Sequence, residues 1–254
     1  MFKGKLIQGD CLTVLKSLAD NSIDCVVTSP PYNLGGDFHA CKKGKDGKSI
    51  RTSYGGYNSF NDSLPEEDYQ KNQILVLNEL FRITKQNSFC FYVHKERIKN
   101  NEIISPLYWI TKTNWKVFQC VILDQKSTAN VDKKRFFPTY EVIYILCKNK
   151  ESRLNNFDCL TSVWQLEKVN RKIAQHPASF SEELPIRCIK AATQPNDVVL
   201  DCYMGTGTTG VACKLLDRQF LGIEIDKNYF EISKQRINES CSQLTLFDIT
   251  DKGE

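Results

Sequence analysis

Six consecutive residues, Thr28-Ser29-Pro30-Pro31-Tyr32-Asn33, follow the apolar run Ile23-Asp24-Cys25-Val26-Val27 and carry the groups a polar, planar ligand needs. The β-branched residues upstream predict a buried strand. The prolines end it abruptly, because each fixes φ and lacks an N–H, and Pro31 also biases Pro30 toward extended backbone. Open α/β sheets place ligands at the carboxyl ends of their strands, which is where this stiff turn begins. Held carbonyls and the Ser29 hydroxyl supply acceptors, and Tyr32 supplies a flat face for stacking. Ser29, Pro30, Pro31 and Tyr32 thus form a cradle suited to an amino group on a heteroaromatic base. The alternative is a strand ended by a Pro-Pro turn with Tyr32 half-buried.

A second constellation, Asp201-Cys202-Tyr203-Met204-Gly205-Thr206-Gly207-Thr208-Thr209-Gly210, lies between an apolar strand pattern and a helical one. Gly205 and Gly207 allow a tight turn and close approach of a ligand, and the helix start offers N–H groups to a carboxylate. Glu224 ends the next strand, where an acid can accept from ribose hydroxyls. No Walker-type Gly-Lys-Thr follows, which disfavours phosphate binding. A glycine turn used only for close packing is the competing reading.

The elements that must position these residues are those of an α/β sheet. Strands are predicted at Lys5–Gln8, Ile23–Thr28, Phe89–Val93, Val117–Leu123, Tyr140–Cys147, Asp197–Asp201 and Phe220–Ile225, with Val117–Leu123 and Tyr140–Cys147 pairing antiparallel as a hairpin at one edge. Helices are predicted at Leu12–Ala19, Pro65–Thr84, Ile103–Lys112, Glu182–Ala192, Thr209–Leu216 and Asn228–Asn238, with acidic residues suiting the first turn of the second. The reading is one catalytic domain over 1–239 and a tail over 240–254. Residues 34–64 are expected to form a mobile basic loop, and 124–138 and 148–175 to be insertions that face a ligand.

The chain has 254 residues, 11 cysteines and a formal charge of +4. That length suffices for a sizeable core. No apolar run is long enough to span a membrane and no signal-peptide core follows the N-terminus, so a cytoplasmic location is expected. The cysteines are scattered through strand and helix patterns with no C-x-x-C spacing, which predicts buried thiols and no metal site. The positive excess is concentrated: Lys42, Lys43, Lys45, Lys48 and Arg51 stand against Asp46 in a Gly-rich stretch interleaved with Tyr54, Tyr57 and Phe60. Such a stretch can neutralise phosphates, as can Lys133, Lys134 and Arg135 in a second basic segment and Arg171 in the aperiodic region before His176. A solvated loop without a role is the alternative for the first of these.

Ser29-Pro30-Pro31-Tyr32 resembles in full the catalytic motif of the DNA methyltransferases that methylate N6 of adenine or N4 of cytosine. Asp201–Thr208 resembles the same family's S-adenosylmethionine (AdoMet) motif, departing at Cys202, Tyr203 and Thr206. Gly9-Asp10-Cys11-Leu12 is similar to the stretch holding the adenine end of AdoMet, and His176–Phe180 with Leu184-Pro185 to the segment lining the methionine side. The catalytic motif precedes the cofactor motif, the circularly permuted order of the β class. The resemblance covers Lys5 to Glu239 and implies a Rossmann-like AdoMet fold, with Asp10, Cys11, Phe180, Asp201, Tyr203, Gly205, Thr206, Gly207, Thr208 and Glu224 around the cofactor and double-stranded DNA as substrate.

The implied chemistry is methyl transfer to the exocyclic amine of an extruded base, aided by acceptors at Ser29 and the Pro30 carbonyl. No Pro-Cys dipeptide is present for a C5-cytosine route. Ser29 leans to N4 of cytosine, although Ser-Pro-Pro-Tyr-Asn also occurs in adenine enzymes. RNA or protein-amide N-methylation and a non-catalytic AdoMet-fold subunit are the competing functions. In the tail, Gln243-Leu244-Thr245-Leu246-Phe247 resembles the pentapeptide that docks bacterial DNA-processing proteins into the sliding clamp. A second copy of the chain is a further candidate partner.

Overall fold

The computed structural model describes residues 3–34, 37–43, 49–55, 62–126, 136, 138–155, 161–166 and 181–240, with 37–43 and 49–55 described by their backbone. Twelve strands among these are β1 (Gly4–Gln8), β2 (Ile23–Thr28), β3 (Asp37–Lys43), β4 (Ser49–Gly55), β5 (Thr84–His94), β6 (Arg97–Lys99), β7 (Glu102–Ile104), β8 (Lys116–Asp124), β9 (Tyr140–Cys147), β10 (Val163–Trp164), β11 (Val198–Asp201) and β12 (Gln219–Glu224). The helices are α1 (Cys11–Lys16), α2 (Glu66–Ile83), α3 (Leu107–Ile110), α4 (Glu183–Ala192), α5 (Thr208–Leu215) and α6 (Lys227–Glu239).

Eight strands form one sheet in the order β1-β12-β11-β2-β5-β9-β8-β10. β1, β12, β11, β2 and β5 are parallel neighbours, and β9 runs antiparallel to both β5 and β8. Both faces are covered, which explains why the parallel strands read as nearly unbroken apolar runs. Cys25 and Val27 of β2, with Phe89, Phe91 and Val93 of β5, pack against α4, α5 and Ile237 of α6. The alternating Val26, Cys90 and Tyr92 pack against Leu15 of α1, against α2 and against Trp109 and Ile110 of α3.

From β2 the chain crosses by α2 to β5, and from β11 it crosses by α5 to β12. These neighbouring strands therefore send their connections in opposite directions and onto opposite faces. A crevice outside their carboxyl ends is the consequence, and it is where open α/β sheets bind ligands.

Three predicted boundaries are corrected. Residues 37–43 and 49–55, expected within a loop, form an antiparallel hairpin running from Asp37↔Gly55 to Lys43↔Ser49 and belonging to a separate two-stranded sheet. Residues 103–112 were expected to be one helix, but Glu102–Ile104 is a strand and the helix is limited to Leu107–Ile110. Asn100 (φ 53°) and Asn101 (φ 64°) are both left-handed, as a two-residue type I′ hairpin requires, and they pair β6 with β7. In the aperiodic stretch, Val163–Trp164 adds a short parallel strand beside β8. Among the described residues no helix is long and apolar enough to cross a membrane.

Helix α5 is packed too tightly to accept added volume at Gly210. A Cβ at Gly210 would meet Ile237 Cδ1 and come within 2.7 Å of Phe220 Cε1. Gly210→Ala is expected to cost about 1–3 kcal/mol of stability by wedging α5 away from α6 and β12, measurable as a lower urea midpoint at constant slope.

Candidate active site at the β2–β11 crevice

The proline corner and the glycine corner leave adjacent strands, with Val199 and Leu200 of β11 in register with Cys25 and Val26 of β2. One buried carboxylate joins them. Asp201, only 2 % exposed, accepts from Thr28 Oγ1 (2.9 Å) and from the Tyr203 N–H (3.1 Å) on Oδ1, and from Thr209 Oγ1 (2.7 Å) on Oδ2. Thr28 immediately precedes Ser29, and Thr209 is in the first turn of α5. Burial pushes the Asp201 carboxyl up to about 6, against the pull of these three donors.

The proline corner is anchored on the α2 side. Asn33 is left-handed (φ 55°), a conformation asparagine tolerates. The Asn33 and Leu34 N–H groups donate to Asp62 Oδ1 (2.8 Å) and Oδ2 (3.2 Å), while the Asn33 amide exchanges hydrogen bonds with Leu64 N and O. Burial raises the Asp62 carboxyl, and the two N–H donors oppose that rise. The Tyr69 hydroxyl of α2 lies between two acceptors, the Pro31 carbonyl (2.8 Å) and His94 Nε2 (2.7 Å), and shares its one hydrogen between them. His94 is fully buried with Nδ1 donating to Lys95 O (2.8 Å), and desolvation lowers it to about 3, so the ring is neutral at pH 7. It backs the Tyr32 ring at 4.7 Å between centroids, with 35° between planes. The Tyr32 hydroxyl lies 3.0 Å from Ser29 Oγ and donates to Glu141 Oε2 at 3.4 Å.

At the glycine corner, Gly205 (φ 52°) and Gly207 (φ 82°) are both left-handed. A Cβ on Gly207 would lie 2.9 Å from Ser233 Cβ, whereas one on Gly205 would meet nothing within 4 Å, so open space lies beside the turn there. Glu224 accepts from Gly205 N on Oε2 (2.8 Å) and from Asp226 N on Oε1 (2.8 Å). Burial raises its carboxyl. Arg236 of α6 donates to Thr206 O (2.7 Å) and Thr206 Oγ1 (2.9 Å) and pairs with Glu182 at 3.5 Å. Asp10 caps α1 by accepting from Thr13 N (2.9 Å). Cys11 is hydrogen-bonded to Tyr203, and burial raises its thiol to about 11. The Gly9 N–H reaches the Glu224 carbonyl at 2.9 Å, which brings the β1 and β12 ends together.

Ser29, Pro30, Pro31 and Tyr32, and Asp10, Cys11, Asp201, Tyr203, Gly205, Thr206, Gly207, Thr208 and Glu224, thus gather at one end of the sheet. Asp201 faces inward and holds the corners, while Glu224 already braces the turn. Lys42, Lys43 and Arg51 lie near the turn end of the β3–β4 hairpin, where Cys41 pairs with Arg51 and Lys42 with Ile50. Phe180, Lys45, Lys48, Lys133, Lys134, Arg135, Arg171 and Gln243–Phe247 lie outside the described residues. Sequence reading missed Asp62, Tyr69, Glu141 and Arg236 as parts of the site. An acid inside the otherwise apolar Tyr140–Cys147 pattern was the available signal for Glu141; the other three have partners too distant in sequence to leave one.

A doubly wound sheet with a proline corner beside a glycine corner is the framework of a protein that binds a small molecule at its strand ends. Residues 23–235 match the DNA methylase family, and the chain belongs to it. Type II methyltransferase M.HpaI of Haemophilus parainfluenzae is 26 % identical over 270 residues, spanning 98 % of this chain and 77 % of that protein. Type II methyltransferase M2.MboI of Moraxella bovis is 28 % identical over 263 residues, spanning 92 % and 87 %. In fold, the chain resembles the cytosine-N4-specific PvuII DNA methyltransferase (TM-score 0.71, 17 % identity, 95 % of this chain and 92 % of that one). It also resembles M1.HpyAVI in complex with SAM (TM-score 0.63, 20 % identity, 92 % and 99 %).

The Asp201 carboxyl sets a pH test. Its folded value of about 6 exceeds the ordinary 3.8, so the folded state binds the proton more tightly. The stability this group contributes is full below pH 3.8 and is lost as pH rises through about 6. Asp201→Asn removes that component and turns amide hydrogens toward existing donors. A loss of about 2–4 kcal/mol at pH 7 is expected, with the gap to wild type widening at lower pH, as read by denaturation at several pH values.

Proposed function

We propose that this protein transfers a methyl group from AdoMet to the exocyclic amino nitrogen of a base extruded from double-stranded DNA, N4 of cytosine ahead of N6 of adenine, as part of restriction–modification. The observation that carries the reading is the Thr28–Asp201 hydrogen bond, which sets Ser29–Tyr32 directly beside the glycine turn. The donor set suits AdoMet: open space lies at Gly205, Glu224 and Asp10 are acids at neighbouring strand ends, and Tyr203 and Cys11 line the same end. AdoMet, when bound, supplies an activated methyl group on a sulfonium.

The chain's own residues do the positioning. Ser29 Oγ and the Pro30 carbonyl accept the two amine N–H groups, which frees the nitrogen lone pair from the ring. Tyr32, backed by His94 on one face, offers its other face to the base. Lys42, Lys43 and Arg51, with Lys45, Lys48, Lys133, Lys134, Arg135 and Arg171, neutralise phosphates. The N4 preference rests on Ser29, a neutral acceptor at the first position of the motif. A cytoplasmic site of action fits a DNA substrate.

Incubation with isotopically labelled AdoMet and, in parallel, unmethylated genomic DNA, tRNA or a protein extract, with nucleoside chromatography of the nucleic acids, tests this. Label is expected in N4-methylcytosine; label in N6-methyladenine corrects the base, and label in tRNA or protein instead overturns the reading. Tyr32→Ala is expected to slow transfer at least about 10²-fold while AdoMet binding, followed by calorimetry, persists.

The tail pentapeptide Gln243–Phe247 is proposed to dock into a sliding clamp, its two leucines and phenylalanine serving as the anchor. Deleting it is expected to abolish clamp binding in sedimentation while leaving methylation of short duplexes intact. The same sedimentation run reads self-association, the remaining candidate partnership.

A further inference from the structure

Methylation of an amine leaves the nitrogen with one proton too many. Ser29 accepts a hydrogen bond well but is no base, since its hydroxyl already carries a proton. The proton must pass beyond it.

A path leads away from Ser29. Its Oγ lies 3.0 Å from the Tyr32 hydroxyl, which in turn donates to Glu141 Oε2 at 3.4 Å. The second contact is long, as catalytic hydrogen bonds often are before substrate binds. Glu141 is the second residue of β9, where Val142 to Cys147 are all buried apolar residues, so an acid is out of place there on packing grounds. A carboxylate can only accept, so the Tyr32 O–H points to Glu141. The Tyr32 oxygen then receives the Ser29 O–H, which leaves the Ser29 lone pairs directed outward. The opposite polarity would spend a Ser29 lone pair on Tyr32.

Resting on the methyl-transfer reading, we infer that Glu141 is a positioning residue and terminal proton acceptor, acting on the substrate amine through Tyr32 and Ser29. As the nitrogen–carbon bond forms and the carbon–sulfur bond breaks, sulfur keeps the bonding pair and nitrogen becomes cationic. The amine proton moves to Ser29 Oγ, the serine proton to the Tyr32 oxygen, and the tyrosine proton to Glu141. Methylated neutral amine, thioether and a neutral carboxylic acid result, and Glu141 later returns the proton to water.

The groups facing Glu141 fit this role. Tyr32 approaches from the proline corner and Lys95 from the bend after β5. On the ladder, Leu123 pairs with Glu141, and Asp124 with Tyr140, whose hydroxyl is bound to Glu96. Burial raises the Glu141 carboxyl, while Lys95 and then the Tyr32 hydrogen bond pull it back. A raised carboxylate is a better proton acceptor.

The test has two readouts. In the ligand-free protein, carbon-13 NMR of labelled glutamates is expected to show a carboxyl titrating above the usual range, absent in Glu141→Gln and shifted further up in Tyr32→Phe, which removes the donor to the carboxylate. In single turnover on unmethylated genomic DNA, the wild-type rate is expected to fall as pH drops through that carboxyl's titration. Glu141→Gln is expected to be about 10²-fold slower, with this acid limb gone, and with KM for DNA and the melting temperature unchanged. Should Glu141→Gln unfold, Tyr32→Phe, which keeps the ring, carries the kinetic arm with the same slowing.

A wild-type rate and acid limb in these variants overturns the relay alone, as does an ordinary glutamate titration that ignores Tyr32→Phe. A wild type that methylates no DNA overturns the methyl-transfer reading and the relay together.

Discussion

The site depends on a single charge that cannot reach water. A carboxylate buried as deeply as Asp201 is tolerable only if donors surround it, and each donor it recruits belongs to a different part of the site. Thr28 is the last residue before the proline corner, the Tyr203 N–H is inside the glycine turn, and Thr209 is in the first turn of the helix that follows. Satisfying one acid therefore aligns two corners that lie 173 positions apart along the chain. An apolar contact between β2 and β11 would bring the strands together equally well. It would not specify how far along each strand the turns begin, because hydrophobic attraction has no direction.

Around that charge the two corners are secured from opposite faces of the sheet. The proline corner is tied to α2 and to the segment leading into it, through Tyr69, Asp62 and Leu64. Arg97 strengthens that side by a two-point contact with Glu66 (2.7 and 2.8 Å) in the first turn of α2 while lying over the Tyr69 ring. The glycine corner is tied to α6 by Arg236 and to β12 by Glu224. Each set of tethers uses charged or polar groups at element ends, leaving the layers between the elements apolar.

Much of this was legible in the residues, and for definite reasons. Strands buried on both faces announce themselves as β-branched runs, so Ile23–Thr28, Val198–Asp201 and Gln219–Glu224 were readable within a residue or so. The proline and glycine corners were readable because their backbone constraints are local. What escaped notice was non-local or carried by uncommon chemistry. Asn100-Asn101 makes a hairpin without the glycine that usually marks one, and β10 exists because β8 offers it a neighbour. Tyr69 looks like an ordinary apolar-face residue of an amphipathic helix, and only the fold carries its hydroxyl to Pro31. Arg236 reads as a surface charge in a polar helix, yet its side chain is 15 % exposed and spent on Thr206.

The division of tethers between the faces has a consequence for how the molecule can vary. Tyr69 and Asp62 hold the proline corner from the side of α1, α2 and α3, and Arg236 holds the glycine turn from the side of α4, α5 and α6, while Cys202 and Tyr203 of that turn pack into the α1–α3 layer. A change at Tyr69 or Asp62 acts first on the proline corner, and a change at Arg236 acts first on Thr206 in the glycine turn. Among the described residues the β2–β11 seam joins the two corners through hydrogen bonds to one carboxylate, and Cys202 and Tyr203 join them again through the α2 layer. The two corners thus have distinct outer tethers and a common centre, the Thr28, Asp201 and Thr209 contacts.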